Sequence, residues 1–210
     1  MNQSEFTNRW SALHGGAEIK GIVKAWLAIS FRSAKLATTL RVTPNFLTII
    51  GVVFAIAMAL NPTSIWCIPL LVISLFADGI DGSVAIVQAK VSAWGAVLDA
   101  VADRISEALW FYVTYQLGAP AWIALGAFVI ATTQEYARAR IAGLGVSDVG
   151  VVTPAERPVR ASFIFVALIA SAIGLEISAV VIGALLLLQI ISFYLVLRWA
   201  YHRLRDNFSA

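Results

Sequence analysis

At 210 residues, with 60% of them apolar and only 13% charged, the chain carries more apolar surface than one soluble core of this size can hide. A mean hydropathy of +0.84 points to an all-α integral membrane protein whose apolar surface a bilayer covers. The net charge of +3 and the pI near 9.2 would suggest nucleic acid in a soluble protein, but the placement of the cations accounts for them with no nucleic-acid partner.

Residues 1–10 are polar and lack the apolar run of a cleavable signal. Residues 17–40 place Lys20, Lys24, Arg32 and Lys35 among Ile19, Ile22, Val23, Trp26, Leu27, Ile29, Phe31 and Leu36. That pattern predicts an amphipathic basic helix lying in an anionic headgroup layer, since its cations argue against burial as a seventh span. Six spanning segments follow, at about 44–60, 63–88, 92–117, 121–141, 159–173 and 177–199. Turn chemistry separates them at Asn61-Pro62, Gly118-Ala119-Pro120, residues 143–158 and Gly174. Residues 1–210 thus read as a single membrane domain, with 44–199 its six-helix region. Trp66, Trp122 and Trp199 fall near span ends and suit interfacial anchoring. Cys67, the single cysteine, is expected to be packed or lipid-facing, and His14 and His202 to be surface residues.

With six spans, every Lys and Arg falls on one side of the membrane. The opposite connections, near Asn61, Gly118 and Gly174, hold none. The asymmetry sets both termini in the cytoplasm of a multi-pass protein of the cell (inner or plasma) membrane.

The most informative stretch runs from Asp78 to Asp103. Asp78 and Asp81 are three apart and share a helix face, which Gly82 and Ala85 continue. Asp99 and Asp103 are four apart on the next helix, with Gly95 one turn earlier. A short turn around Lys90 makes the two helices antiparallel neighbours, so both acidic pairs sit at similar depth near the cytoplasmic side. A single charge at the centre of a membrane helix costs about 3 kcal/mol on insertion scales. Four carboxylates therefore need either protonation or cations, and hard oxygen ligands suit one or two Mg²⁺ or Mn²⁺ ions. Helix-end acids paired with Lys90 and Arg104, or a relay for cation transport, are the competing readings of the spacing alone.

The run Asp78-Gly79-Ile80-Asp81-Gly82-Ser83-Val84-Ala85, followed by Gly95, Asp99 and Asp103, resembles the signature of the CDP-alcohol phosphatidyltransferase family, D-x-x-D-G-x-x-A-R, eight residues, then G-x-x-x-D-x-x-x-D. Thr43-Pro44-Asn45 resembles a further family feature. The resemblance implies a CDP-linked lipid donor such as CDP-diacylglycerol, a small polar alcohol as acceptor, release of CMP, and a homodimer among membrane lipids. It implies metal ligands at Asp78, Asp81, Asp99 and Asp103, with Asp103 also the general base. A CDP-lipid site would comprise Asn45, Asp78, Asp81, Gly82, Ala85 and Gly95, facing the cytoplasm. Ile86 departs from the signature, which has arginine there. Compensation by Lys90 or Arg104, a different donor or acceptor, and a weak or silent CDP-lipid-binding homologue are the readings it leaves.

Arg138 closes the fourth span, and Arg157 and Arg160 open the fifth. Arginines gathered at one cavity suit a phosphate on the acceptor. The arrangement resembles the phosphatidylinositol-phosphate synthase branch of the family, which favours inositol phosphate, with glycerol 3-phosphate next. Glu135 lies in the same stretch and opposes anion binding.

Overall fold

The computed structural model describes residues 1–13, 15–146 and 150–208, with side chains through Arg205. The expectation for His14 lies outside the described residues. Among the described residues there are eight helices and no strand: α1 Gln3–Leu13, α2 Gly21–Thr39, α3 Pro44–Leu60, α4 Cys67–Val87, α5 Ala93–Gln116, α6 Ala121–Ala142, α7 Arg157–Ala172 and α8 Ser178–Phe208.

The helix starts follow local chemistry. The Thr43 hydroxyl accepts the Phe46 N–H at 3.3 Å, and Pro44 opens α3, where its missing N–H costs nothing. The Ser92 hydroxyl accepts the Gly95 N–H at 3.0 Å before α5. Pro158 sits in the first turn of α7. Helix α4 ends at Val87; two residues on, Ala89 has a left-handed φ of 53°, and the Lys90 N–H donates to the Ala85 carbonyl at 2.8 Å. That closing bond turns the chain into α5 at the predicted position.

Two of these helices, α4 and α8, are long and apolar enough to cross a membrane. Helices α2 and α3 meet that test only as a pair, bent by 107° at the break between them. Helices α3 and α7 have 17 and 16 residues, at the short end of the roughly 17–25 that a span takes. Helices α5 and α6 instead carry acids and arginines, including Asp99, Asp103, Glu107, Glu135 and Arg138.

The fold comprises two compact units, Met1–Ala57 with Pro69–Ser106, and Met58–Ile68 with Glu107–Ala210. In the first, α3 and α4 approach closely at Gly51, where the Ser74 hydroxyl donates to the Gly51 carbonyl at 2.7 Å. A Cβ on Gly51 would stand 3.2 Å from the Ser74 carbonyl oxygen, so a side chain there would push the helices apart. Helix α2 lies against α4 through Ala34, Ala37 and Val84. Helix α1 is fixed by a second cluster, in which Phe6 packs with Leu27, Phe31 and Ile86.

In the second unit α8 packs on α6 and α7. The Gln189 side-chain amide donates to Gln134 Oε1 at 2.8 Å in a fully buried pair. The Ser192 hydroxyl accepts the Ala155 N–H at 2.9 Å, which ties the entry of α7 to α8. Cys67 is buried, with Sγ donating to the Asn61 carbonyl at 3.1 Å, in keeping with a packed thiol.

Candidate active site

In the first unit, α4 and α5 bring Asp78, Asp99 and Asp103 together. Each offers one carboxylate oxygen, and these oxygens all lie within 4.8 Å of one another. All three side chains are part-buried, so water screens their mutual repulsion incompletely. Arg104 stands 3.6 Å from Asp103 and offsets part of that charge. Asp81 faces α3 and is 7% exposed. Its Oδ2 accepts the Thr48 hydroxyl and its Oδ1 the Gly82 N–H. Thr48 lies one turn before Gly51, so the close α3–α4 approach delivers this hydroxyl to Asp81.

Beside the acids lies a cavity of about 280 Å³. Asn45, Asp81, Gly82, Ala85, Gly95 and Asp99 line it, together with Lys90. Of the residues expected to hold a CDP-lipid, Asp78 alone is not in the lining; it belongs to the acid cluster. A Cβ on Gly82 would meet nothing within 4 Å, so this face of α4 is open. A Cβ on Gly95 would stand 3.1 Å from the Ser92 hydroxyl, so here the small residue also keeps the α5 cap in place.

The arginines lie in the second unit. Arg138 makes a two-pronged ion pair with Glu156, at 2.7 and 2.8 Å, and donates to the Val151 carbonyl at 3.0 Å. Arg160 is fully buried; its Nε donates to Glu107 at 2.7 Å and its NH1 to the Ala155 carbonyl at 2.7 Å. Glu135 reaches both, at 3.4 Å from Arg138 and 3.5 Å from Arg160. The Arg157 guanidinium lies 5.2 Å from the centre of the Trp110 ring, a cation–π distance. The three arginines are thus set among three carboxylates. Glu135 was foreseen in this role, but Glu107 and Glu156 were not. Glu107 follows Asp103 by four residues, a spacing that was a usable signal.

Glu156 stands at the N-cap position of α7, and its carboxylate accepts hydrogen bonds from the Thr153 N–H and hydroxyl as well as from Arg138. Burial alone would raise its pKa, but the hydrogen bonds from Arg138 and Thr153 and the Arg138 charge outweigh it and hold the group at about 2. The folded value lies below the ordinary 4.5, so the stability this carboxylate contributes is present above about pH 4.5 and is lost as pH falls toward 2. Thermal unfolding in detergent is therefore expected to show a falling Tm across that window. Glu156→Gln should start lower at neutral pH and fall less. Parallel curves for the two proteins would contradict this assignment.

Residues 41–200 match the family model for CDP-alcohol phosphatidyltransferase, which is most of the chain and runs through both units. The chain belongs to the CDP-alcohol phosphatidyltransferase family. It is 34% identical to a phosphatidylinositol phosphate synthase of Corynebacterium glutamicum over 158 residues, covering 69% of this chain and 68% of that one. It is 30% identical to an archaetidylinositol phosphate synthase of Pyrococcus horikoshii over 159 residues, 72% of this chain and 82% of the other. A crystal structure of the Mycobacterium tuberculosis phosphatidylinositol phosphate synthase with CDP-DAG bound superposes with a TM-score of 0.71 at 22% identity, covering 83% of this chain and 94% of that one. The same enzyme in complex with manganese and citrate gives 0.70 at 21% identity, covering 82% and 88%. As a CDP-alcohol phosphatidyltransferase the chain is a transferase of phospholipid biosynthesis, and its long apolar helices are those of a membrane protein.

Against the phosphatidyltransferase signature, Ile86 is accommodated by its surroundings. It is 4% exposed and packs with Phe6, Leu27 and Phe31. Lys90 lines the cavity itself, whereas Arg104 pairs with Asp103.

Proposed function

We propose that this chain transfers the phosphatidyl group of CDP-diacylglycerol to inositol phosphate and releases CMP. The observation that carries the proposal is the set of three carboxylate oxygens within 4.8 Å of one another, beside a cavity lined by the signature residues. The names of the relatives support inositol phosphate as the acceptor, with glycerol 3-phosphate the next choice.

The donor set fits a divalent metal: the clustered carboxylates are hard oxygen ligands of the kind Mg²⁺ and Mn²⁺ take. Asp78, Asp99 and Asp103 would hold one or two such ions, with Asp81 the fourth ligand at the cavity wall, steadied by Thr48. When bound, the metal supplies charge neutralisation for the pyrophosphate and the departing CMP. Asn45, Gly82, Ala85 and Gly95 shape the space for the cytidine diphosphate. Lys90 supplies the cationic contact that the signature arginine would otherwise give. Asp103 takes the acceptor's hydroxyl proton as the new O–P bond forms and the bond to CMP breaks.

The same proposal includes six spans, α3 to α8, following α2 as an interfacial helix. The cations then lie at the cytoplasmic side with both termini, and the whole chain acts as one domain in the cell membrane. A homodimer is the proposed active form, on the family resemblance.

Arg138, Arg157 and Arg160 are proposed for the acceptor's phosphate. Arg138 and Arg160 are paired with Glu156 and Glu107, and Arg157, whose guanidinium lies on the Trp110 ring, is the one chosen for the test. The test uses purified full-length protein in nanodiscs containing CDP-diacylglycerol, with Mg²⁺ or Mn²⁺ and a panel of polyols and their phosphates. CMP release is expected with inositol phosphate, and absence of CMP with every acceptor would end the proposal. Arg157→Ala should raise KM for inositol phosphate at least about tenfold, the lower end of a charge-assisted hydrogen bond, and leave KM for CDP-diacylglycerol unaltered. Equal effects on both substrates would remove Arg157 from the acceptor's contacts.

A further inference from the structure

Helix α1 lies outside the span 41–200 that matches the family. It is nonetheless part of the cavity. Phe6, Trp10 and Leu13 recur at positions i, i+4 and i+7 and so form one helical stripe. Phe6 is fully buried, its ring centre 5.1 Å from that of Phe31, and it packs in the cluster that holds Ile86. Trp10 packs against the same cluster, and Trp10 and Leu13 both line the cavity that Asn45, Asp81 and Gly82 line. Trp26 of α2 lines it too, its ring so close to Gly79 that a Cβ there would stand 2.8 Å from indole Cζ2.

These facts connect the signature's one departure to α1. An arginine at position 86 would bring an ion into a site walled by Phe6, Leu27 and Phe31, which is costly without a partner. Isoleucine at 86 is what lets Phe6 dock, and Phe6 is what places Trp10 at the cavity.

We propose that α1 is a working wall of the nucleotide site, in which Trp10 offers its indole face to the base of the CDP-lipid and so contributes affinity where the signature arginine is lacking. The inference rests on the cavity being the CDP-lipid site. A planar base on an indole is a sequence-tolerant contact whose loss is felt in binding. Trp10 is therefore a substrate-positioning residue, and Phe6 and Ile86 position it in turn.

The test is steady-state CMP release by the full chain in nanodiscs, with CDP-diacylglycerol and the acceptor varied in turn, alongside direct binding of CDP by calorimetry. Trp10→Ala should raise KM for CDP-diacylglycerol about tenfold and weaken CDP binding to the same degree. KM for the acceptor should stay put, and kcat should change much less than KM. Trp10→Phe should recover most of the loss, and Phe6→Ala should reproduce part of it by loosening α1. Arg9→Ala, on the exposed side of α1, should behave as wild type. If wild type releases CMP and Trp10→Ala and Trp10→Phe both keep its KM and CDP affinity, the wall has no working role and the inference fails while the functional assignment stands. If wild type neither releases CMP nor binds CDP, the functional assignment fails and takes the inference with it. Should Trp10→Ala unfold, as judged by its melting curve, Trp10→Phe against Trp10→Leu decides: equal KM values for the two would overturn the stacking role.

Discussion

Asp103→Asn is expected to lower CMP release by about 10²–10⁴-fold, the contribution of a positioned general base, without loss of fold. A second consequence has the opposite sign. Asp78, Asp99 and Asp103 hold carboxylate oxygens within 4.8 Å of one another, and two unit charges at that separation repel by about 3 kcal/mol at an effective dielectric of about 20. Removing one charge relieves the metal-free protein, so Asp103→Asn should melt at a higher temperature than wild type in the presence of a chelator. Adding Mn²⁺ should then stabilise wild type more than the variant, because binding to the folded state alone raises its stability by mass action. The two proteins would change order as metal is titrated in. Wild-type turnover by Asp103→Asn, or no difference between the melting curves with and without chelator, would remove the acids from the proposed chemistry.

The second large effect belongs to the Glu107–Arg160 pair, in which both side chains are fully buried and 2.7 Å apart. Truncating one partner leaves the other's charge in a place water cannot reach. Glu107→Ala and Arg160→Ala should each cost about 3–5 kcal/mol. Replacing both by apolar residues of similar size, Glu107→Leu with Arg160→Met, should come within about 2 kcal/mol of wild type, because no unpaired ion remains. The Ala155 carbonyl loses its guanidinium donor in that variant and accounts for the remainder. Denaturant titrations of the wild type, the two single variants and the double variant in mixed micelles would measure this cycle. Additive losses in the double variant would contradict the pairing. The stable double variant also separates two roles for Arg160: if it retains normal KM for inositol phosphate, Arg160 belongs to the scaffold and not to the acceptor's contacts.

The helices were legible because span boundaries in a membrane chain are written in turn residues. Pro44, Ser92, Pro120 and Gly174 stand where the expected segments begin or end, and α3 to α7 fall within a few residues of those expectations. Helix α8 was read as ending at Trp199, yet it continues to Phe208, because apolar content says where a span stops and not where a helix does. The acids were legible because i, i+3 and i, i+4 spacing fixes which side chains share a helix face. The spacing could not show that Asp81 would turn to Thr48, since that depends on how closely α3 approaches α4 at Gly51. The arginines show the same limit from the other direction. A count of positive charges near one stretch suggested an anion site, while the carboxylates that hold them, Glu107 and Glu156, are distant in sequence from at least one partner.

Helix α1 was the main omission. Residues 1–10 are polar on average, and an average conceals a stripe. Two local signals were present. Asn2 and Glu5 exchange backbone and side-chain hydrogen bonds at 2.9 and 3.0 Å, the reciprocal cap that an Asn-x-x-Glu start permits. Phe6, Trp10 and Leu13 then repeat at the period of a helix.

The docking of Phe6 on Ile86 also orders events during synthesis. Phe6 leaves the ribosome about 80 residues ahead of Ile86, an interval of about 4–16 s at translation rates of about 5–20 residues per second. Leu27 and Phe31 emerge within the first part of that interval, so the nascent chain can pair α1 with α2 as a local hairpin while α4 is still being made. The cavity then gains its aromatic wall from a preassembled pair, with α4 and after it α5 arriving to close it.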